Sequence, residues 1–244
     1  MDPHQLVLLT GGVLLVAFLY SSVGHAGASG YIAIMALLNL APEEIKPTAL
    51  VLNIFVASIT CRQFRRAGFF SWSLFWPFAI LSVPLAFAGG YVRLPAYGFK
   101  VLVGTVLVAS AVRLLLKPSD EAEVHAPRKA TAVAVGAGLG LLAGLTGTGG
   151  GIFLTPVLVF MKWARIKAAG AASAAFILVN SAAGLAGNMA STRKLPGFTW
   201  FLVAAVVAGG AGGSYLGSRR FDPTVIKRLL AVVLAIAGFK LVFG

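Results

Sequence analysis

Acidic residues are scarce in this sequence: seven Asp and Glu stand against 20 Lys and Arg in 244 residues. All seven (Asp2, Glu43, Glu44, Asp120, Glu121, Glu123 and Asp222) lie at the ends of apolar stretches or between them. No carboxylate is therefore placed inside an apolar segment to hold Na⁺ or a proton, or to pair with a cationic substrate. Cysteine occurs once, at Cys61. A single thiol excludes an intrachain disulfide and a Cys-based metal cluster, and Cys61 reads as a small apolar helix residue. The three histidines, His4, His25 and His125, fall in no H-E-x-x-H or Ser–His arrangement, and no Asp pair sits in an apolar run. An enzyme is not expected, and neither is a metal site or a cofactor.

Charge of either sign is also rare. Only 11% of residues are charged and 59% are hydrophobic, whereas soluble domains carry about 25% charged residues. With a mean hydropathy of +0.92, the chain is expected to sit almost wholly in lipid, as an all-α membrane protein. The first apolar stretch, Leu6 to Tyr20, follows an acidic residue and runs into glycines. It reads as a retained membrane segment, not as a cleaved signal. The net charge of +13 fits nucleic acid, anionic lipid or an anionic substrate. In loops this short, basic residues chiefly fix topology and meet head groups, so the lipid bilayer is the expected partner and nucleic acid is not.

Long apolar runs bounded by charge, Pro or Gly give five segments in each half. In the first half they cover 5–22, 28–41, 47–64, 71–92 and 97–116, and in the second 130–146, 149–161, 168–190, 198–218 and 224–243. Segments 28–41 and 149–161 are short for a full crossing and read as candidate half-helices. The only sustained polar run, Lys117 to Lys129, is the linker. Residues 1–116 and 130–244 are thus expected to be two transmembrane repeats joined by a cytoplasmic segment at 117–129.

The halves match in several places. R-R-A-G-F-F-S-W (Arg65 to Trp72) aligns with R-K-L-P-G-F-T-W (Arg193 to Trp200) at an offset of 128, which also pairs Gly89 with Gly217. G-H-A-G-A-S-G (Gly24 to Gly30) pairs with the glycine-rich Gly144 to Gly151 at an offset of 120. Three matches in one order argue for duplication. Five crossings per half put Arg62, Arg65, Arg66, Arg113, Lys117, Arg128, Lys129, Lys162, Arg165, Lys167, Arg219, Arg220, Lys227 and Arg228 on one side. Lys46, Arg93, Lys100, Arg193, Lys194 and Lys240 fall on the other, a split of 14 against 6. Four crossings per half would divide them 10 against 10, so the positive-inside bias selects the odd number. An odd repeat enters upside down the second time, which is the inverted-repeat plan of many secondary transporters.

Glycine-rich breaks at corresponding places in both halves point to a site near the midplane. Irregular backbone survives at membrane depth only where protein buries it or where it lines a cavity. A helix beginning there would turn its N–H groups and positive dipole end toward an anion. Close helix packing through small residues is the competing explanation. The candidate substrate-binding residues are Gly24, His25, Gly27 and Ser29 in the first corner, and Thr146, Gly147, Thr148, Gly149 and Gly150 in the second. Asn53 and Asn180 join them, because they recur at an offset of 127 in otherwise apolar segments. His25 would donate to the anion or carry a proton, or serve as a structural histidine. Polar side chains such as Asn53, Ser58, Thr60, Ser173, Ser181 and Asn188 would line the site or bridge helices.

The G-x-x-G-x-G-G-G corner running to Pro156, its degenerate copy at Gly24 to Gly30, and the basic-Gly-aromatic-Trp joints resemble the sulfite exporter TauE/SafE family, over nearly the whole chain. In the first half Tyr31 replaces the last glycine and Ala36 the proline. The resemblance implies a transporter of the bacterial inner membrane whose substrate is a small inorganic or organic sulfur oxyanion, such as sulfite or an organosulfonate. The expected function is a secondary carrier in which the two corners meet near the midplane. An anion channel of the same fold and a non-transporting membrane scaffold are the alternatives.

Overall fold

The computed structural model describes residues 3–22, 24–115 and 124–217, and six positions between 235 and 243. Through residue 217 the described chain forms nine helices: α1 (Pro3–Ser22), α2 (Ala28–Leu37), α3 (Pro42–Arg66), α4 (Trp72–Tyr91), α5 (Ala96–Leu115), α6 (Lys129–Thr146), α7 (Gly151–Phe160), α8 (Ile166–Thr192) and α9 (Thr199–Gly217). Six of them, α1, α3, α4, α6, α8 and α9, are long and apolar enough to cross a membrane. The protein is an all-helical membrane protein. Nine of the ten expected segments coincide with these helices to within a few residues. The tenth, 224–243, and residues 117–123 of the linker lie almost wholly outside the described residues.

The clearest boundary shift is in α3, expected from residue 47 and observed from Pro42. Its start has a physical signature: proline at the first helical position, Glu43 and Glu44 in the first turn, and the Ala41 N–H donating to Glu44 Oε2 at 3.3 Å. Arg65 and Arg66 complement the dipole at the other end. The extra turn carries Lys46 into the helix, where it is only 6% exposed. Helices α2 and α7 have 10 residues each, about 15 Å at 1.5 Å per residue. They are half-helices, as their short apolar runs suggested.

Helices α3 and α8 form the centre and pack on one another, and their spans are the most buried of the six. Helix α4 lies on α6 and α8, whereas α9 lies on α1 and α3. One apolar core joins α1, α2, α3, α5 and α9, with Ile152 of α7 and Ile177 of α8 reaching into it, and the other joins α4, α6, α7 and α8. Each half therefore lends its fourth helix to the other's bundle. The seams that make this exchange are glycine-lined. On α6, a Cβ at Gly136, Gly140 or Gly144 would run into the backbone of Phe78, Ser82 or Ala86 on α4. On α9, Gly209 and Gly213 stand in the same way against the Leu14 and Phe18 carbonyls of α1. Four-residue spacing puts successive contacts on one helix face, and the missing side chains let the backbones approach closely.

Candidate functional site

The second corner is built by left-handed backbone. Helix α6 ends at Thr146, Gly147 (φ 81°), Gly149 (φ 70°) and Gly150 (φ 76°) turn the chain, and α7 begins at Gly151. Three positive φ angles in four residues require glycine, because a Cβ is strained in that region. The result is an α7 N-terminus with no side-chain cap, in the interior of the helix bundle. Thr146 and Thr148 brace the bend: their hydroxyls lie 2.9 Å apart, and Thr146 Oγ1 also donates to the Leu142 carbonyl at 2.7 Å.

Against this bend stand α3 and α8. Asn53 Nδ2 lies 3.3 Å from Ser181 Oγ and 3.5 Å from the Gly147 carbonyl. A Cβ at Gly149 would lie 2.8 Å from Ser181 Oγ and 3.1 Å from Asn53 Nδ2, so Gly149 leaves no room for a side chain between them. Asn53 and Asn180 are fully buried. Yet Asn53 Oδ1 and both amide atoms of Asn180 have no hydrogen-bond partner. A buried polar atom left unpaired costs about 1–3 kcal/mol, so this cluster is held at the expense of stability.

The first corner has the same bends, Gly24 (φ 85°) and Gly27 (φ 102°), before α2. Its interior is filled differently. The Tyr31 hydroxyl donates to the Ala26 carbonyl, and Tyr20 and Ser29 share a 2.9 Å hydrogen bond. Gly24 packs on Phe64 and Gly170, and Gly27 on the Tyr31 ring. His25 reaches the second half: its Nε2 is 3.0 Å from Thr155 Oγ1, which donates to Ser173 Oγ at 2.7 Å. Since Thr155 has one hydroxyl proton, Nε2 is the donor to it.

The expected site residues thus form two groups. Asn53, Thr146, Gly147, Thr148, Gly149 and Gly150 gather at the α7 N-terminus, with Asn180 beside Ser181 on α8. Gly24, His25, Gly27 and Ser29 form a second group, joined to the first through Thr155 of α7. The corners come together staggered, because Thr155 lies one helical turn beyond Gly151. Ser181 and Ser173 had been noted only as polar helix residues. Thr155 is not among the expected residues, and Lys46 is expected only as a charge on the less basic side. Lys46 looked like a loop charge because Pro47 reads as a helix boundary, although A-P-E-E ahead of it is a helix start.

A family model described as sulfite exporter TauE/SafE matches residues 9–241. The chain belongs to the sulfite exporter TauE/SafE family. It is 40% identical over 235 residues to a probable membrane transporter protein of Sinorhizobium fredii, y4hK, covering 94% of this chain and 95% of that one. It is also 25% identical over 259 residues to a probable membrane transporter protein of Bacillus subtilis, YjnA, covering 97% and 98%. No solved structure matches it significantly. As a TauE/SafE protein with six long apolar helices, the chain is a membrane transporter, and family membership places the glycine corners in a transport protein.

Proposed function

We propose that this TauE/SafE protein is a secondary carrier of the bacterial inner membrane that moves a small sulfur oxyanion, such as sulfite or an organosulfonate, by alternating access. One observation carries the reading: a half-helix N-terminus on left-handed glycines lies beside fully buried Asn53 and Asn180, and the Asn180 side-chain amide, donor nitrogen included, has no hydrogen-bond partner. N–H groups and amide donors suit an oxyanion, and the absence of a carboxylate among the apolar segments spares it repulsion. The mutual exchange of α4 and α9 is what two inverted repeats would produce, and it supplies two bundles to rock against each other.

Counterflow tests the carrier. In liposomes, the chain is expected to accumulate radiolabelled sulfite against unlabelled sulfite inside. A channel would dissipate the gradient without exchange, and a scaffold would show no flux. Inversion is tested separately by single-cysteine accessibility. Positions 65 and 193 are expected on opposite sides, with 65 cytoplasmic, and labelling from the same side would remove the inverted-repeat plan.

A further inference from the structure

A cavity of about 310 Å³ opens at the N-terminal end of α3, with Glu43, Lys46, Arg93, Asn188, Thr192 and Lys194 in its lining. Three cations and one carboxylate border it, on the side that carries few basic residues. Its floor is Lys46. The ammonium donates to the carbonyls of Gly89 (3.1 Å), Gly90 (3.0 Å) and Val92 (3.2 Å), and these three contacts use all its protons. The acceptors are the carbonyls that end α4, where a helix carries only about half a negative charge. A buried full charge is ordinarily matched by an opposite full charge, and among the described residues the hydrogen bonds of this one go to helix-end carbonyls.

The cavity also adjoins the α7 corner. Leu145 is in its wall, and a Cβ at Gly147 would lie 3.4 Å from Lys46 Cα. Asn188 and Thr192, two turns and more beyond Asn180 on α8, supply amide and hydroxyl groups to the wall.

We propose that this cavity is a second anion site, at the outer mouth of the transport path, which binds a small oxyanion on Lys46, Arg93 and Lys194 with help from Asn188 and Thr192. The inference rests on the carrier reading above and adds a separate site to it. Lys46 belongs to the α1–α2–α3–α9 bundle, and its three acceptors belong to α4 in the other. An anion drawing the ammonium toward itself loosens that tie, so arrival of substrate and separation of the bundles are linked through one side chain.

Equilibrium binding of radiolabelled sulfate to the full chain in nanodiscs, at constant ionic strength, tests this. The wild type is expected to bind two sulfates per chain. The rim double variant Arg93→Gln/Lys194→Gln, which alters exposed residues, is expected to weaken one of them about tenfold and leave the other. Lys46→Gln is expected to remove the same one. Asn53→Ala is expected to remove the other and spare the mouth site. Two sites that survive in the rim variant overturn the mouth site and leave the carrier reading standing. A single site lost in Asn53→Ala and untouched by the rim variant does the same. A wild type that binds neither sulfate nor sulfite overturns both.

Discussion

At the Gly24–Gly30 corner two phenols close the bend, whereas at Gly144–Gly151 the corresponding positions are glycine. At the offset of 120, Tyr31 is matched by Gly151, Ser29 by Gly149 and Tyr20 by Gly140. The backbones share left-handed turns and a ten-residue helix that follows. The first corner spends its hydrogen bonds on itself, through Tyr31 to Ala26 and Tyr20 to Ser29. The second leaves Asn53 Oδ1 and the Asn180 amide unpaired beside it. In the function proposed above, the second corner serves as the site and the first as a brace. His25 remains the first corner's link to the second, through Thr155.

The largest break in this contrast should come from Gly149→Val. The branched side chain would meet Ser181, Asn53 and Ile177 and occupy a left-handed position. Sulfite exchange in liposomes is expected to fall below detection, while Ser29→Ala at the matching position keeps at least a third of wild-type rate. Comparable losses at both positions would make the corners equivalent.

Next in size is Asn180→Leu, a near-isosteric change that removes two unpaired atoms. Because replacing unsatisfied buried polar atoms by apolar ones is neutral or stabilising, the denaturation midpoint should hold or rise. Exchange should drop about tenfold, the size of a lost ligand hydrogen bond. A fall in both would place Asn180 among the structural bridges between helices.

Tyr31→Phe reverses that pattern. It deletes the bond to Ala26, costing about 1 kcal/mol in thermal or denaturant unfolding, with exchange nearly unchanged. A transport defect without destabilisation would return the first corner to the site. The smallest effect belongs to His25→Gln, which keeps a donor for Thr155 and removes titration. Rates near neutral pH should change less than twofold, and the pH profile of uptake should flatten. A wild-type profile in the variant makes His25 purely structural and leaves any coupled proton to travel on the anion.

Segment positions were legible in the sequence because apolar runs of this length report the bilayer directly. The corners were legible as chain bends because glycines cluster there, and Gly24, Gly27, Gly147, Gly149 and Gly150 all take positive φ. Lys46 was not legible as a buried group. Pro47 suggested a boundary, while the evidence for an earlier start lay in Pro42 and the two glutamates. The filling of the first corner was also hidden, since Tyr31 counts as one more apolar residue until its hydroxyl is seen on Ala26. The exchange of α4 and α9 depends on which glycine seam meets which helix. Spacing on a single helix carries no information about its partner.

That exchange bears on how the protein is made. During synthesis α4 emerges with Ser82, Gly89 and Gly90 already displayed, but the α6 and α8 surfaces that cover them have not left the ribosome. The first bundle waits longer still, because α9 is the last of the nine described helices and its Gly209 and Gly213 are what seat it on α1. A nascent chain that stops after Leu115 therefore holds α4 with its polar and glycine face turned to lipid, a surface that quality-control proteases and insertion chaperones can read. Neither half is therefore expected to mature alone, and co-expressed halves should accumulate only when both are present.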